Sequence, residues 1–246
     1  MAQAFVALSE LINNAEQIVL LTGAGVSRAS GIPDFRSPDG LYRRDPHLAF
    51  SPETILSHDF LLAYPEAFYR YLRENLFYPN AKPNSIHRYF AHLEHTGRLA
   101  AVLTQNVDGL HRMAGSDTVL ELHGAGDRFY CVDCGREMDV VDALTAEGAP
   151  SCPLCGGLVR PDIVLYGEPL NTPLMTAALQ HIAACDLLIC AGTSLRVEPV
   201  ASLVTYRAPH TPFVILNAEP TPYDAQADLV IHDDLVDVIA YLTKAT

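Results

Sequence analysis

Short, almost wholly apolar runs alternate along the chain with longer segments in which apolar residues recur every three or four positions. The apolar runs lie at 18–21, 99–104, 186–191 and 212–217, and a shorter one lies at 228–231. Runs of this length and character are typical of strands buried on both faces. We predict four core strands and, at 228–231, an edge strand.

Helical spacing separates these runs. It is present at 8–12, 65–76, 85–95 and 235–242, with prolines after the second segment and Gly97 after the third. Buried strands that alternate with helices indicate a parallel sheet covered on both faces. The predicted fold is therefore α/β, with a Rossmann-like doubly wound parallel sheet.

Four of the six cysteines form two pairs, each with two residues between its members. The pairs are Cys131 with Cys134 and Cys152 with Cys155, and a glycine follows each pair. This spacing is typical of a four-thiolate zinc site, in which the metal has no open position and is structural. We predict a zinc-binding insertion over 128–160.

A glycine-rich turn follows the first apolar run and precedes a helical segment. Gly23 and Gly25 match the start of a dinucleotide fingerprint, in which backbone amides approach a pyrophosphate at a helix N-terminus. The third glycine of that pattern is absent, since Arg28 stands there, and no acidic residue ends a second strand at the usual distance. Taken alone, this turn leaves NAD binding open.

Three further polar segments strengthen the case for a ligand site. Phe35 and Arg36 lie on a loop just past the turn, and 104–111 follows the next strand, at the sheet edge where ligands bind. His123 directly precedes the zinc insertion, at a junction between lobes.

The composition limits which classes of molecule the protein is expected to bind. The chain has 246 residues and a formal net charge of −13, which argues against binding to nucleic acid. The acidity is compatible with attraction of lysine-rich substrates and equally with solubility alone. The sequence has no recognisable signal peptide and no run of about 18 apolar residues, so we expect no membrane partner. Paired cysteines without a secretory signal favour a cytoplasmic location.

With these motifs in place, the sequence resembles the sirtuin family of NAD-dependent protein-lysine deacylases, bacterial type. The matching segments keep the family's order: GAGVSRASGIPDFRSPDGLY at 23–42, TQNVDGLH at 104–111, HG at 123–124, the cysteine pairs, RPDIVLYGE at 160–168, GTSL at 192–195, and Asn217 with Glu219. The resemblance implies an NAD-binding lobe made of 1–42, 84–126 and 160–246. A smaller inserted lobe would combine a helical module at 43–83 with a zinc-binding module at 127–159.

The resemblance also implies which residues hold NAD. The turn residues and a second turn at 192–194 would bind the phosphates and adjoining ribose, residues 105–108 the nicotinamide end, and Asn217 with the backbone near Leu235 the adenosine. Phe35 would shield the reactive carbon. The full set is Thr22, Gly23, Ala24, Gly25, Ser27, Asp34, Phe35, Arg36, Gln105, Asn106, Val107, Asp108, Gly192, Thr193, Ser194, Asn217, Glu219 and Leu235.

The implied reaction transfers the acyl group of a lysine to the ribose of NAD. After the acyl oxygen has attacked the ribose carbon, His123 would act as general base on a ribose hydroxyl. The products would be free lysine, nicotinamide and O-acetyl-ADP-ribose, and the partners acetylated-lysine proteins or peptides. The substrate segment would be Ile163, Val164, Leu165 and Tyr166, which would line the acyl-lysine tunnel and pair with the peptide by strand addition. The family more often has phenylalanine at the position of Tyr166.

The predicted helix at 65–76 carries residues that indicate which acyl groups the protein prefers. Family members that remove succinyl or malonyl groups carry a Tyr-x-x-Arg pair there, whereas this chain has Tyr69 and then Leu72, with Arg73 one position on. One residue turns a side chain about 100° around a helix. We therefore expect Tyr69 in the acyl pocket and a preference for uncharged acyl groups.

Other functions remain open from the sequence. These are a protein mono-ADP-ribosyltransferase, a deacylase for longer neutral chains, a non-catalytic NAD sensor or zinc scaffold, and a zinc-ribbon nucleic-acid binder. The presence of His123 and Asn106 disfavours the non-catalytic alternative, and the acidic residues around the cysteines disfavour the nucleic-acid binder.

Overall fold

The central sheet is built from the apolar runs of the sequence. In the computed structural model, which describes residues 2–35, 40–41 and 49–245, six parallel strands are arranged in the order β3-β2-β1-β7-β8-β9. Their bounds are β1 Ile18–Thr22, β2 Leu99–Thr104, β3 Val119–Glu121, β7 Leu187–Ala191, β8 Phe213–Leu216 and β9 Leu229–Ile231. The predicted edge strand β9 is confirmed, and β3 was not predicted.

Helices cover both faces of this sheet, as alternating side chains require. Ile18 and Leu20 of β1 pack against one helical layer, and Val19 and Leu21 pack against the other. The first layer consists of α1 Ala2–Asn14, α5 Ser85–His95 and α9 Leu235–Ala245. The second contains α8 Thr172–Ala184 and the 3-10 helix Ala201–Tyr206. The predicted α/β fold is confirmed.

A second, smaller sheet carries the cysteine pairs. Its three antiparallel strands lie in the order β5-β4-β6, with bounds β4 Gly124–Cys131, β5 Glu137–Met138 and β6 Val159–Ile163. Because β4 begins directly after His123 and β6 ends at Ile163, this sheet spans 124–163. It therefore extends at both ends into segments that the sequence assigns to the large lobe.

The helical module shares one core with this small sheet. The helices are α2 Pro52–Ile55, α3 His58–Ala63, α4 Pro65–Asn75 and, inside the zinc module, α7 Val140–Thr145. Phe68 and Leu61 pack with Phe129 of β4 and Val159 of β6. The short α6 Leu110–Met113 belongs to the large lobe. Among the residues described, none of these helices combines the length and apolar character that crossing a membrane requires.

Candidate active site and metal centre

Two glycine turns meet at the centre of the large sheet. The order of strands reverses at β1 and β7, which are neighbours, and each is followed by a glycine. The N–H of Gly25 donates to the carbonyl oxygen of Gly192 over 2.8 Å. A Cβ on Gly25 would lie 2.6 Å from the Cα of Gly192, so these two turns can approach only without side chains. Such a reversal point is where open α/β sheets bind ligands.

A cavity of about 1130 Å³ extends from these turns to the small lobe. Most of the residues predicted to hold NAD line it: Gly23, Ala24, Gly25, Ser27, Asp34, Phe35, Gln105, Asn106, Val107, Asp108, Gly192, Thr193, Ser194, Asn217, Glu219 and Leu235. Arg36 lies outside the described residues. The structure therefore brings together residues that are up to about 200 positions apart in the sequence.

Thr22 is the exception among the described NAD residues. Its side chain is fully buried, and its hydroxyl lies 3.0 Å from Thr104 Oγ1 and 3.1 Å from the Nε2 of His111. It does not line the cavity, because the last residue of β1 points into the sheet packing. The structure corrects the prediction that Thr22 contacts the cofactor. Its side chain lies behind the cavity wall and supports that wall.

Asn106, Ser27 and Asp108 form a connected polar network on one wall. The amide of Asn106 donates to Gly23 O over 3.1 Å and lies 3.2 Å from Ser27 Oγ, which donates to Asp108 over 2.6 Å. Burial raises the pKa of Asp108, and its hydrogen bonds from Ser27 and the N–H of Leu110 partly offset this rise. The network holds the side chains of Asn106 and Asp108 in fixed positions at the cavity.

His123 stands where the two lobes meet, and it also lines the cavity. Its Nδ1 lies 3.1 Å from the backbone oxygen of Gln105, a carbonyl that can only accept, so Nδ1 carries the proton of the neutral ring. Nε2 then holds a lone pair and has no hydrogen-bond partner among the described residues. Burial lowers the pKa of His123, and the bond to Gln105 only partly offsets that effect. This is the arrangement of a general base.

The predicted substrate segment lines the cavity beside His123. Ile163, Val164, Leu165 and Tyr166 all line the cavity. Their N–H groups are already bonded in three cases: Val164 to His123 O over 2.9 Å, Tyr166 to Leu56 O over 2.9 Å, and Leu165 to Glu168 Oε2 over 2.8 Å. These three N–H groups are therefore not available to a substrate strand, which would have to pair with other backbone groups.

The structure does not bring Tyr69 to the cavity. The side chain is fully buried in the small-lobe core, and its hydroxyl donates to Val159 O over 2.7 Å. Leu72 is buried in the same core, and Arg73 donates to the backbone oxygens of Leu144 and Ala146. The prediction that Tyr69 contacts substrate is corrected, because this face of α4 packs against β6 and α7.

The four paired cysteines converge at the tip of the small sheet. Their sulfurs lie within 4.8 Å of one another, with 3.4 Å between those of Cys131 and Cys155 and 3.7 Å between those of Cys134 and Cys152. A disulfide needs about 2.05 Å. Zn–S bonds of about 2.3 Å place tetrahedral sulfurs about 3.8 Å apart, so this donor set suits zinc and leaves no open position for a reaction.

These features together have a counterpart among known proteins. A family model described as the Sir2 family matches residues 23–199. The chain belongs to the Sir2 family. The resemblance expected from the sequence is thus confirmed.

Relatives match the Sir2 chain over nearly its whole length. An "NAD-dependent protein deacetylase" of Clostridium perfringens (strain 13 / Type A) is 47% identical over 232 residues, which are 94% of this chain and 95% of the relative. A protein of the same name from Staphylococcus epidermidis (strain ATCC 12228 / FDA PCI 1200) is 46% identical over 239 residues, 97% and 96% of the two chains.

Solved Sir2 structures share the fold. One, of a Sir2 variant with a deacetylated p53 peptide and 3′-O-acetyl ADP ribose, superposes with a TM-score of 0.91 at 36% identity and covers 98% of each chain. Another, of Sir2 with a p53 peptide and NAD⁺, has a TM-score of 0.85 at 36% identity and covers 97% of each chain.

Sequence reasoning missed one pair of charges in this Sir2 chain. Arg160 and Glu168 form a two-point ion pair, through Nη1 to Oε1 and, over 2.9 Å, through Nη2 to Oε2. Arg160 also donates to Ile163 O over 2.8 Å, so the pair braces both ends of the substrate segment. Burial alone would raise the pKa of Glu168, but hydrogen bonds from Arg160, the N–H of Leu165 and His58 lower it to about 2. The sequence signal was the position of both charges within RPDIVLYGE.

Proposed function

We propose that the protein removes acetyl groups from lysine side chains of proteins in an NAD-dependent reaction, giving free lysine, nicotinamide and O-acetyl-ADP-ribose. One observation carries the proposal: His123, whose Nε2 bonds to none of the residues described, lies in a single cavity with the paired glycine turns and the predicted substrate segment. The names of the relatives and the products bound in the Sir2 neighbour support it.

The cofactor site suits a dinucleotide. Ala24 is the first residue of the 3-10 helix Ala24–Ser30, and backbone N–H groups at the start of a helix attract phosphate. The N–H of Gly25 bonds to Gly192 O instead, so the Ala24 end of the turn is the part that would face the phosphates. Asn217, Glu219 and Leu235 line the far end of the cavity, where the adenosine would lie. When bound, NAD supplies a ribose carbon that becomes electrophilic as nicotinamide leaves and that receives the acetyl oxygen.

The chain's own groups prepare and complete that transfer. Phe35 lines the cavity and would exclude water from the reactive carbon. His123 takes a proton from a ribose hydroxyl at Nε2, while its Nδ1–H stays bonded to Gln105 O. Because the pKa of His123 is lowered, the ring is neutral and ready to accept this proton at pH 7.

The acyl pocket favours an uncharged group. Ile163, Val164 and Leu165 form its apolar wall. Among the described residues that line the cavity there is no lysine, and the arginines Arg28 and Arg112 already face the carboxylates of Asp34 and Glu121. A succinyl carboxylate would enter without a cationic partner, which is costly in a water-poor site.

The four paired cysteines support a proposal for both the bound metal and the cellular location. Four thiolates that converge without forming a disulfide suit a structural zinc ion and a reducing compartment. We therefore propose that the protein works in the cytoplasm on acetylated-lysine proteins or peptides.

Mass spectrometry of one reaction tests the function. The protein is incubated with NAD and an acetyl-lysine peptide, and the expected products are the free peptide, nicotinamide and O-acetyl-ADP-ribose in equal amounts. Accumulation of ADP-ribose on the peptide, with the acetyl group retained, would instead establish the mono-ADP-ribosyltransferase alternative. The His123→Ala variant is the matched control for adventitious hydrolysis.

A further inference from the structure

One end of a helix in the helical module holds the substrate segment in place. The backbone N–H of His58 donates to Tyr166 O over 3.0 Å, and its Nδ1 lies 2.8 Å from Glu168 Oε1. In return, the N–H of Tyr166 donates to Leu56 O over 2.9 Å. Residues Ser57 and Tyr166 are thus the partners of a short parallel bridge.

The position of His58 explains why its N–H is available. His58 is the first residue of α3, and the N–H groups of a helix's first turn have no partner inside the helix. The side chain of Ser57 accepts from the N–H of Phe60 over 3.2 Å, which satisfies one of these groups. The N–H of His58 goes to Tyr166 instead, so capping the helix also ties it to the substrate segment.

Glu168 connects this bond to the acyl-lysine wall. It accepts from Arg160, from the N–H of Leu165 and from His58, and its own N–H donates to Leu165 O over 3.0 Å. The Arg160 side chain is 7% exposed and the His58 side chain 43%, so the two hold the carboxylate from the buried and the exposed side. Moving Glu168 would move Leu165 and Tyr166 with it.

We propose that His58 is a positioning residue for the acyl-lysine peptide, which clasps the segment 163–168 onto the helical module. The inference rests on the proposed peptide site. None of the contacts of His58 involves the glycine turns or residues 105–108, which hold the cofactor side. Loss of His58 should therefore weaken peptide binding and leave NAD binding unchanged.

Three substitutions separate the two bonds of His58. His58→Ala removes the bond to Glu168 and keeps the backbone bond to Tyr166. His58→Asn offers an amide N–H near the place of Nδ1–H and should restore the bond to Glu168. His58→Pro removes both bonds. Proline is tolerated at a first helical position, as Pro52 and Pro65 of this chain illustrate, and Ser57 already has the extended backbone that a residue before proline prefers.

The measurements are the Kd of a fluorescent acetyl-lysine peptide by anisotropy, the Kd of NAD by calorimetry, kcat and both KM values, and hydrogen exchange of 163–168. We expect the peptide Kd and KM to rise about threefold in His58→Ala and about tenfold or more in His58→Pro, with His58→Asn close to wild type. Exchange of 163–168 should quicken in the same order. The NAD Kd and kcat should stay within about twofold.

His92→Ala is the matched control, since His92 is an exposed histidine on α5, away from this segment. A His58→Pro protein that binds peptide as the wild type does would overturn the inference. So would an NAD Kd that rises in step with the peptide Kd, because it would indicate general loosening. Failure of the wild type to bind any acetyl-lysine peptide would overturn the proposed function and this inference together.

Discussion

At the scale of single residues, the surroundings of three histidines determine what each imidazole can do. His123 has one nitrogen bonded to a carbonyl and the other facing the cavity. His87 and His111 are buried with ring centroids 4.8 Å apart, and within the described part of the chain the Nε2 of His87 and the Nδ1 of His111 have no hydrogen-bond partner. Burial lowers the pKa of His87 to about 4 and that of His111 to about 3. These surroundings suit His123 to its proposed role as a base and keep His87 and His111 neutral in the core.

The first prediction concerns the base. His123→Ala should lower kcat for deacetylation at least about a hundredfold, because loss of a general base removes proton transfer from the transition state. The NAD Kd, measured by calorimetry, should change less than about threefold, since His123 does not belong to the glycine turns that are predicted to hold the phosphates. A variant that keeps a tenth of wild-type turnover would contradict the assignment.

The second prediction concerns pH. Between pH 6.5 and about 4 the unfolded chain binds a proton at each of His87 and His111 that the folded protein does not, so the free energy of unfolding falls as the pH drops. The expected slope is about 1.4 kcal/mol per pH unit for each imidazole. Urea unfolding at several pH values measures it. His87→Gln should lower the measured slope by about 1.4 kcal/mol per pH unit, whereas His92→Gln on the exposed face of the same helix should leave it unchanged.

At the scale of elements, the two cysteine knuckles share one local geometry. Gly135 and Gly156 have φ angles of 70° and 77°, a left-handed conformation that favours glycine. The N–H of each donates to the carbonyl oxygen of the first cysteine of its pair, over 3.0 Å and 2.8 Å respectively. Each knuckle is therefore fixed by its own backbone, and the metal has to join only two preformed halves.

The third prediction concerns this metal. Wild-type protein should contain one zinc ion per chain, and Cys131→Ala should lose it and unfold at a lower temperature, because metal binding contributes to folding of such modules. Elemental analysis and thermal unfolding are the measurements. Cys185→Ala is the matched control, since Cys185 is a buried thiol outside the cluster, and it should keep its zinc. Zinc-free wild-type protein would refute the assignment.

At the scale of the whole molecule, the cavity exists only because two lobes meet. The large sheet contributes the glycine turns and residues 105–108, and β6 of the small sheet leads into the substrate segment. Arg73 is turned away from this cavity and donates to the backbone oxygens of Leu144, Ala146 and Gly148. The arrangement of the lobes therefore leaves the proposed acyl pocket without a cation from α4.

The fourth prediction is about acyl choice. Acetyl-lysine should be preferred to succinyl-lysine by at least about a hundredfold in kcat/KM, equivalent to ~2.7 kcal/mol. The ratio is measured with matched peptides by mass spectrometry. Arg73→Ala should destabilise the small lobe but leave the ratio unchanged, and a ratio that shifts in this variant would place Arg73 in the pocket. Leu72→Arg would not test selectivity, because Leu72 is buried in the core, where arginine should impair folding.

Much of the fold and the chemistry could be predicted from local sequence. The strands follow from apolar runs, because a buried strand needs both of its faces apolar, and the order of strands and helices then favours a parallel sheet. The zinc ligands could be predicted from their spacing, because the two cysteines of each pair are so close in sequence that they must also be close in space. The resemblance to sirtuins predicted the candidate base His123 and most residues that line the cavity.

The tertiary structure alone decided which way several side chains point and what they meet. Tyr69 and Thr22 carry suitable chemistry in suitable motifs, yet both are buried, because their directions are set by the packing of several elements at once. Glu168 contacts His58, which is 110 positions away in the sequence, and no periodicity or spacing predicts this contact. Local patterns determine elements and metal ligands, whereas the wall of a cavity between lobes depends on long-range packing that no local pattern encodes.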